Sequence, residues 1–107
     1  MITDQQIEQD LDWLRDSADD IGAAKANAVR TERMTKHIKA LEMKQHVKLA
    51  VNAQEREAMA SNLYLNAIES EAKAAGEYER MKSLREAAAM RIEAWRTMSS
   101  NYRSMKI

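Results

Sequence analysis

Apolar and small residues recur every three or four positions at Ile7, Leu11, Leu14, Ala18, Ile21, Ala24, Ala28, Thr31, Met34, Ile38 and Leu41. That spacing places them on one stripe of an α-helix. Thr3 stands where an N-cap is needed, and Asp4 and Glu8 suit the positive end of the helix dipole. The pattern predicts a first helix over about residues 4–46, roughly 60 Å long at 1.5 Å per residue. A second series, Ala60, Leu63, Tyr64, Ala67, Ala74, Tyr78, Met81, Leu84, Ala88, Ile92, Trp95, Met98 and Tyr102, predicts a second helix over about 53–103.

Between the two series the period weakens through Gln45, His46, Val47 and Lys48, which predicts a turn over about 47–52. Asn52 followed by Glu55 has the spacing of a capping box. Lys44, His46 and Lys48 suit the C-terminal end of one helix, and Glu55 and Glu57 the start of the next. Neither Gly nor Pro marks the turn. The alternative is therefore one uninterrupted helix whose pairing is made between chains. A fold at about residue 49 sets Gly22 beside Gly76, Ala24 beside Ala74, Leu14 near Leu84, and Ile7 near Arg91 and Ile92. Small residues then meet small ones and large meet large. The reading is all-α: a long antiparallel helical hairpin of coiled-coil type, one domain over residues 1–107.

Composition agrees, since the 107 residues include no Pro, Phe or Cys and only two Gly. Without Cys there are no disulfides, thiolate nucleophiles or Cys-based metal sites. The start of the chain has no basic region followed by an apolar one, and no apolar run reaches membrane-spanning length. No membrane partner is expected, and a cytoplasmic location is.

Lys plus Arg equals Asp plus Glu at 17 each, so charge arguments are local. Residues 1–20 carry seven acids against Arg15, and residues 80–107 carry seven bases against Glu86 and Glu93. Residues 30–48 are net +4 and residues 55–79 net −4. In an antiparallel hairpin each block lies beside its complement. The cations Arg30, Arg33, Lys36 and Lys39, with Lys44 and Lys48, are thereby assigned mainly to structure. Direct nucleic-acid binding through the basic segments 30–48 and 91–106 is the second reading, with Arg30, Arg33, Lys36, Lys39, Arg91, Arg96 and Arg103 as its contacts. Aromatics interleave only with the C-terminal tract, at Trp95 and Tyr102.

Two helices bury one stripe each, which is little for a chain of this length. Trp13, Met43, Met59, Ile68, Met90 and Trp95 are the candidate seam for a partner or for self-association. A homo-oligomer is expected, a dimer forming a four-helix bundle or a larger assembly. No metalloprotease, di-iron, phosphate-loop, dinucleotide or serine-hydrolase motif occurs, and His37 and His46 are too far apart for one helical face. No catalytic residue, metal ligand or cofactor is expected, and the chain reads as non-enzymatic.

The segments Ala53-Gln54-Glu55-Arg56-Glu57-Ala58-Met59-Ala60-Ser61 and Ala87-Ala88-Ala89-Met90-Arg91-Ile92-Glu93-Ala94-Trp95-Arg96-Thr97 resemble small uncharacterised all-helical proteins of tailed bacteriophages and prophages. Those proteins often carry Pro-Val-Ser where this chain has Ala50-Val51-Asn52. They tend to be encoded near early genes for recombination and single-strand DNA handling. The resemblance implies an accessory role in phage DNA recombination or replication and assigns no site residues. The expected function is that of a helical interaction or adaptor protein with an unidentified protein partner. A virion or assembly component is a third reading.

Overall fold

The computed structural model describes residues 1–105; Lys106, counted above in the C-terminal basic tract, lies outside the described residues. The chain is all-α. Its elements are α1 (Asp4–Asp16), α2 (Ala18–Lys44), α3 (Val51–Met59) and α4 (Asn62–Met105), and no strand occurs among the described residues. It divides into two compact units, Met1–Gly22 with Glu79–Ile107, and Ala23–Tyr78.

In the first unit, α1 starts where expected. Thr3 Oγ1 accepts from the Gln6 N–H at 3.2 Å and satisfies one of the free donors of the first turn. The buried or half-buried positions Ile7, Asp10, Leu14, Ser17 and Ile21 face Met81, Arg85, Ala88, Ile92 and Trp95 of α4. The strict alternation of three and four is the coiled-coil period. It keeps most of the residues the hydrophobic pattern proposes, but adds Asp10, Ser17 and Arg85 and leaves others out. Leu11, Leu84, Met98 and Tyr102 are exposed, as is Ala18, while Asp10 and Ser17 are buried. Polar side chains hold these seam positions because each has a partner across the pair.

The single first helix expected over 4–46 is interrupted at Ser17. There the Arg85 guanidinium donates to the Leu14 carbonyl at 2.7 Å and to Ser17 Oγ. A side chain bonded into the backbone ladder is a recognised cause of a helix break. Register is displaced as well. Asp10 meets Arg91 where a fold about residue 49 would bring it to Ala88, a shift of about one helical turn.

The second unit is an antiparallel helical hairpin. Its seam is Ala24, Ala28, Thr31, Thr35, Ile38 and Glu42 of α2 against Ala58 of α3, Ser61, and Tyr64, Ala67, Glu71, Ala74 and Tyr78 of α4. Thr35 is buried and donates to the carbonyls of Thr31 at 2.9 Å and Ala67 at 3.3 Å. Met34, Leu41, Ala60 and Leu63, expected on the stripe, are exposed.

The turn falls at residues 45–50, so the uninterrupted-helix alternative does not hold. It is not closed by the predicted capping box. Ala50 is the N-cap of α3 and has no side-chain acceptor. Asn52 lies inside the first turn and accepts from the adjacent Ala53 N–H at 2.9 Å. Gln54 does the closing, its Nε2 donating to the Leu49 carbonyl at 2.8 Å and more weakly to that of Val47. Glu55 reaches across to Lys39.

The second helix is divided too. Ser61 Oγ donates to the Ala58 carbonyl and accepts from the Tyr64 N–H at 3.1 Å, ending α3 and capping α4 together. A Cβ built on Gly22 or on Gly76 would meet nothing within 4 Å, so neither glycine is required by a close backbone approach.

Candidate interaction surface

Which cations are free to bind anything is decided first by what the fold does with them. In the first unit Arg91 Nε and Nη2 bond Asp10 Oδ2 and Oδ1, each at 2.8 Å, in a bidentate pair. The Arg91 hydrogen bond holds the Asp10 carboxyl below its ordinary range, against the opposing effect of burial. Nearby, Trp95 Nε1 donates to Asp4 at 2.8 Å. Arg96 pairs with Glu93 along its own helix at 2.9 Å, and Arg103 is exposed in the last turn of α4, where a cation complements the helix dipole. Arg91 and Trp95 thus join α4 to α1, and the C-terminal tract serves the helix pair before any ligand.

In the second unit Lys39 Nζ bonds Glu55 Oε1 at 2.7 Å, which raises the ammonium above its usual pKa. Lys25 Nζ stands 4.9 Å from the Tyr78 ring centroid, a cation–π contact. Lys36 lies 4.0 Å from Glu32 on the same helix, with both side chains largely exposed. Arg30 and Arg33 are exposed and have no hydrogen-bond or ion-pair partner among the described residues. Lys44 and Lys48 of the same basic segment share that state, but Arg30 and Arg33 are the two that line a groove.

Around them α2 presents a second stripe, turned away from the seam. Ala26, Val29, Arg30, Arg33, Met34 and His37 line a surface groove of about 540 Å³. Met34 also lines a smaller groove of about 210 Å³ on the flank of the hairpin, with Thr31, Ile38, Leu63, Asn66 and Ala67. Sequence reasoning found Arg30 and Arg33 but missed Ala26, Val29 and Met34. Their signal is a second series at three- and four-residue spacing, masked because the hydrophobic pattern places Met34 on the core stripe.

The six candidate seam residues separate. Trp13, Met59, Ile68 and Met90 are exposed, whereas Met43 and Trp95 are half-buried. Trp13, Met90 and Trp95 belong to the first unit, and Met43, Met59 and Ile68 to the second.

Among the described residues no group of three or more His, Cys, Asp or Glu is arranged to hold a metal ion. None of the described helices is long and apolar enough to cross a membrane.

What the fold and its surface define is an antiparallel coiled-coil arrangement with an unpartnered cationic–apolar helix face. No protein-family model matches the chain, and neither does any curated protein or any solved structure.

Proposed function

We propose that this protein is a non-enzymatic helical interaction protein that self-associates and acts by binding another protein surface. The observation that supports this is how side-chain size is distributed. Among the described residues, four of the five buried apolar side chains are alanines, Ala58, Ala67, Ala74 and Ala88, while Leu11, Trp13, Met34, Leu41, Leu63, Leu65, Ile68 and Leu84 remain exposed. No large side chain among the described residues is fully buried. A buried methylene is worth about 0.8 kcal/mol, so an alanine seam contributes little and the bulky flanks hold most of the hydrophobic energy still to be gained.

The resemblance to phage proteins supports a cytoplasmic setting and an accessory role in phage DNA recombination or replication. Light scattering and thermal melts from about one to about a hundred micromolar test the self-association. The expected result is a mass above the 12.2 kDa of one chain and a melting temperature that rises with concentration. A strict monomer with a concentration-independent melt overturns it.

The unpaired Arg30 and Arg33 favour direct nucleic-acid binding as a second reading. Phosphate contact predicts an affinity that falls steeply with salt, a slope that charge reversal at these two positions would flatten. No binding at low salt removes that reading.

A further inference from the structure

The geometry points to a particular occupant for the outer stripe of α2: the acidic, Trp13-bearing edge of α1 from a second copy of this chain. This rests on the proposed self-association and names the surfaces that carry it. The stripe has two requirements. Its apolar part, Ala26, Val29 and Met34, calls for a large apolar side chain, and the guanidinium groups of Arg30 and Arg33 call for carboxylates beside it.

The α1 edge offers both within one helical turn. Trp13 is 36% exposed. Asp12 and Asp16, spaced i and i+4, flank it with only Arg15 to share, at 3.4 and 3.1 Å in open solvent. Arg15 is the single cation of α1, so the edge keeps an anionic excess with Glu8. Seated on α2, the Trp13 indole lies between Arg30 and Arg33 and against the Met34 thioether, an arrangement with cation–π and sulfur–aromatic attraction. Asp12 and Asp16 take the two guanidinium groups in charge-assisted hydrogen bonds. A nucleic acid uses only half of the stripe. Its phosphates would meet Arg30 and Arg33 but leave Val29 and Met34 without a partner, and the stripe has no Phe, Tyr or Trp on which bases could stack, His37 being its one ring.

A charge exchange tests the pairing. The wild-type protein is measured first by sedimentation equilibrium; a monomer there overturns the self-association and this pairing together. Given an associating wild type, R30E/R33E and D12K/D16K are each expected to raise the dissociation constant by about tenfold or more, with unchanged helicity by circular dichroism. An equimolar mixture of the two variants is expected to recover association, because each reversed surface then meets its reversed complement. Association of R30E/R33E at wild-type strength, or failure of the mixture to recover it, overturns the pairing while the self-association stands. Loss of affinity for a fluorescent single-stranded oligonucleotide in R30E/R33E, with its self-association intact, assigns the stripe to nucleic acid and also overturns the pairing.

Discussion

Arg91 grips Asp10 through two parallel hydrogen bonds of 2.8 Å, and Asp10 receives them at a buried seam position that hydrophobic pattern alone gives to the neighbouring Leu11. An acid buried at a helix–helix seam is tolerated when its charge is matched in place, and it then fixes which turn of α4 lies beside which turn of α1.

The pair makes stability depend on pH in a definite direction. The hydrogen bond from Arg91 lowers the folded-state pKa of Asp10 below its ordinary 3.8. The unfolded chain therefore binds this proton first as pH falls, so stability from this group is fully present above the ordinary value and is lost as pH drops through the folded one. Urea unfolding at fixed protein concentration, followed from pH 6 to about pH 2, is expected to show this loss. Asp10→Asn should be less stable at pH 7 and show a shallower acid limb. Equal acid limbs in both proteins would remove the assignment.

Arg85 is expected to matter more than an arginine on a helix surface ordinarily does. Its guanidinium serves both the Leu14 carbonyl and Ser17 Oγ at the break between α1 and α2. Arg85→Ala removes both bonds and should cost about 1–2 kcal/mol in denaturant unfolding. Arg85→Lys, with a point charge in place of a planar fork, should recover only part of it. A cost no larger than that of Arg96→Ala, whose partner Glu93 is a solvent-exposed neighbour on the same helix, would contradict this role.

The all-α class and the antiparallel pairing were legible because composition, period and charge blocks agree. Asp10 with Arg91 and Lys39 with Glu55 each join an acidic block to a basic one. Most of the seam was legible too, including Ile7, Leu14, Ile21, Ala67, Ala74 and Ala88, but its polar members Asp10, Ser17, Thr35 and Arg85 were not. At each turn the choice lies between neighbouring residues, and Leu11, Met34 and Leu84 outweigh Asp10, Thr35 and Arg85 on any hydrophobic scale. The polar set wins because its partners are long-range: Arg91 for Asp10, the Ala67 carbonyl for Thr35, Ser17 for Arg85. Those partners are invisible to a local pattern. The outer stripe of α2 was hidden by the same misassignment of Met34.

The two glycines make a simple test of the packing. Gly22 and Gly76 lie inside α2 and α4, neither has a positive φ, and a Cβ on either meets open space. Gly22→Ala and Gly76→Ala should each stabilise by about 0.5–1 kcal/mol through helix propensity. Close backbone approach at these positions would make the same substitutions destabilising, and thermal melts at one protein concentration separate the two.

Ser61 closes α3 and opens α4 with one hydroxyl. Ser61→Ala removes the cap on the Tyr64 N–H and should cost about 1 kcal/mol, whereas Ser61→Asp, which keeps an acceptor at the N-cap, should recover most of it. If Ser61→Ala is neutral, the helix runs on through residues 60–61 in solution.

The turn offers the sharpest contrast between local pattern and observed bonding. A capping box would make Asn52 the residue on which the turn depends, yet its Oδ1 accepts only from the next backbone N–H. Gln54 instead reaches back to the Leu49 and Val47 carbonyls, which lie beyond the end of α2 and have no helical donors. Removing a donor from backbone acceptors in a turn costs about 0.5–1.5 kcal/mol, and removing a local acceptor at an exposed helix start costs within about 0.5 kcal/mol. Gln54→Ala should therefore destabilise more than Asn52→Ala in parallel urea titrations. Gln54→Glu, which presents a carboxylate to two carbonyl oxygens, should be at least as damaging as Gln54→Ala despite keeping the side chain's length. The reverse order, with Asn52→Ala the costlier change, would restore the capping box.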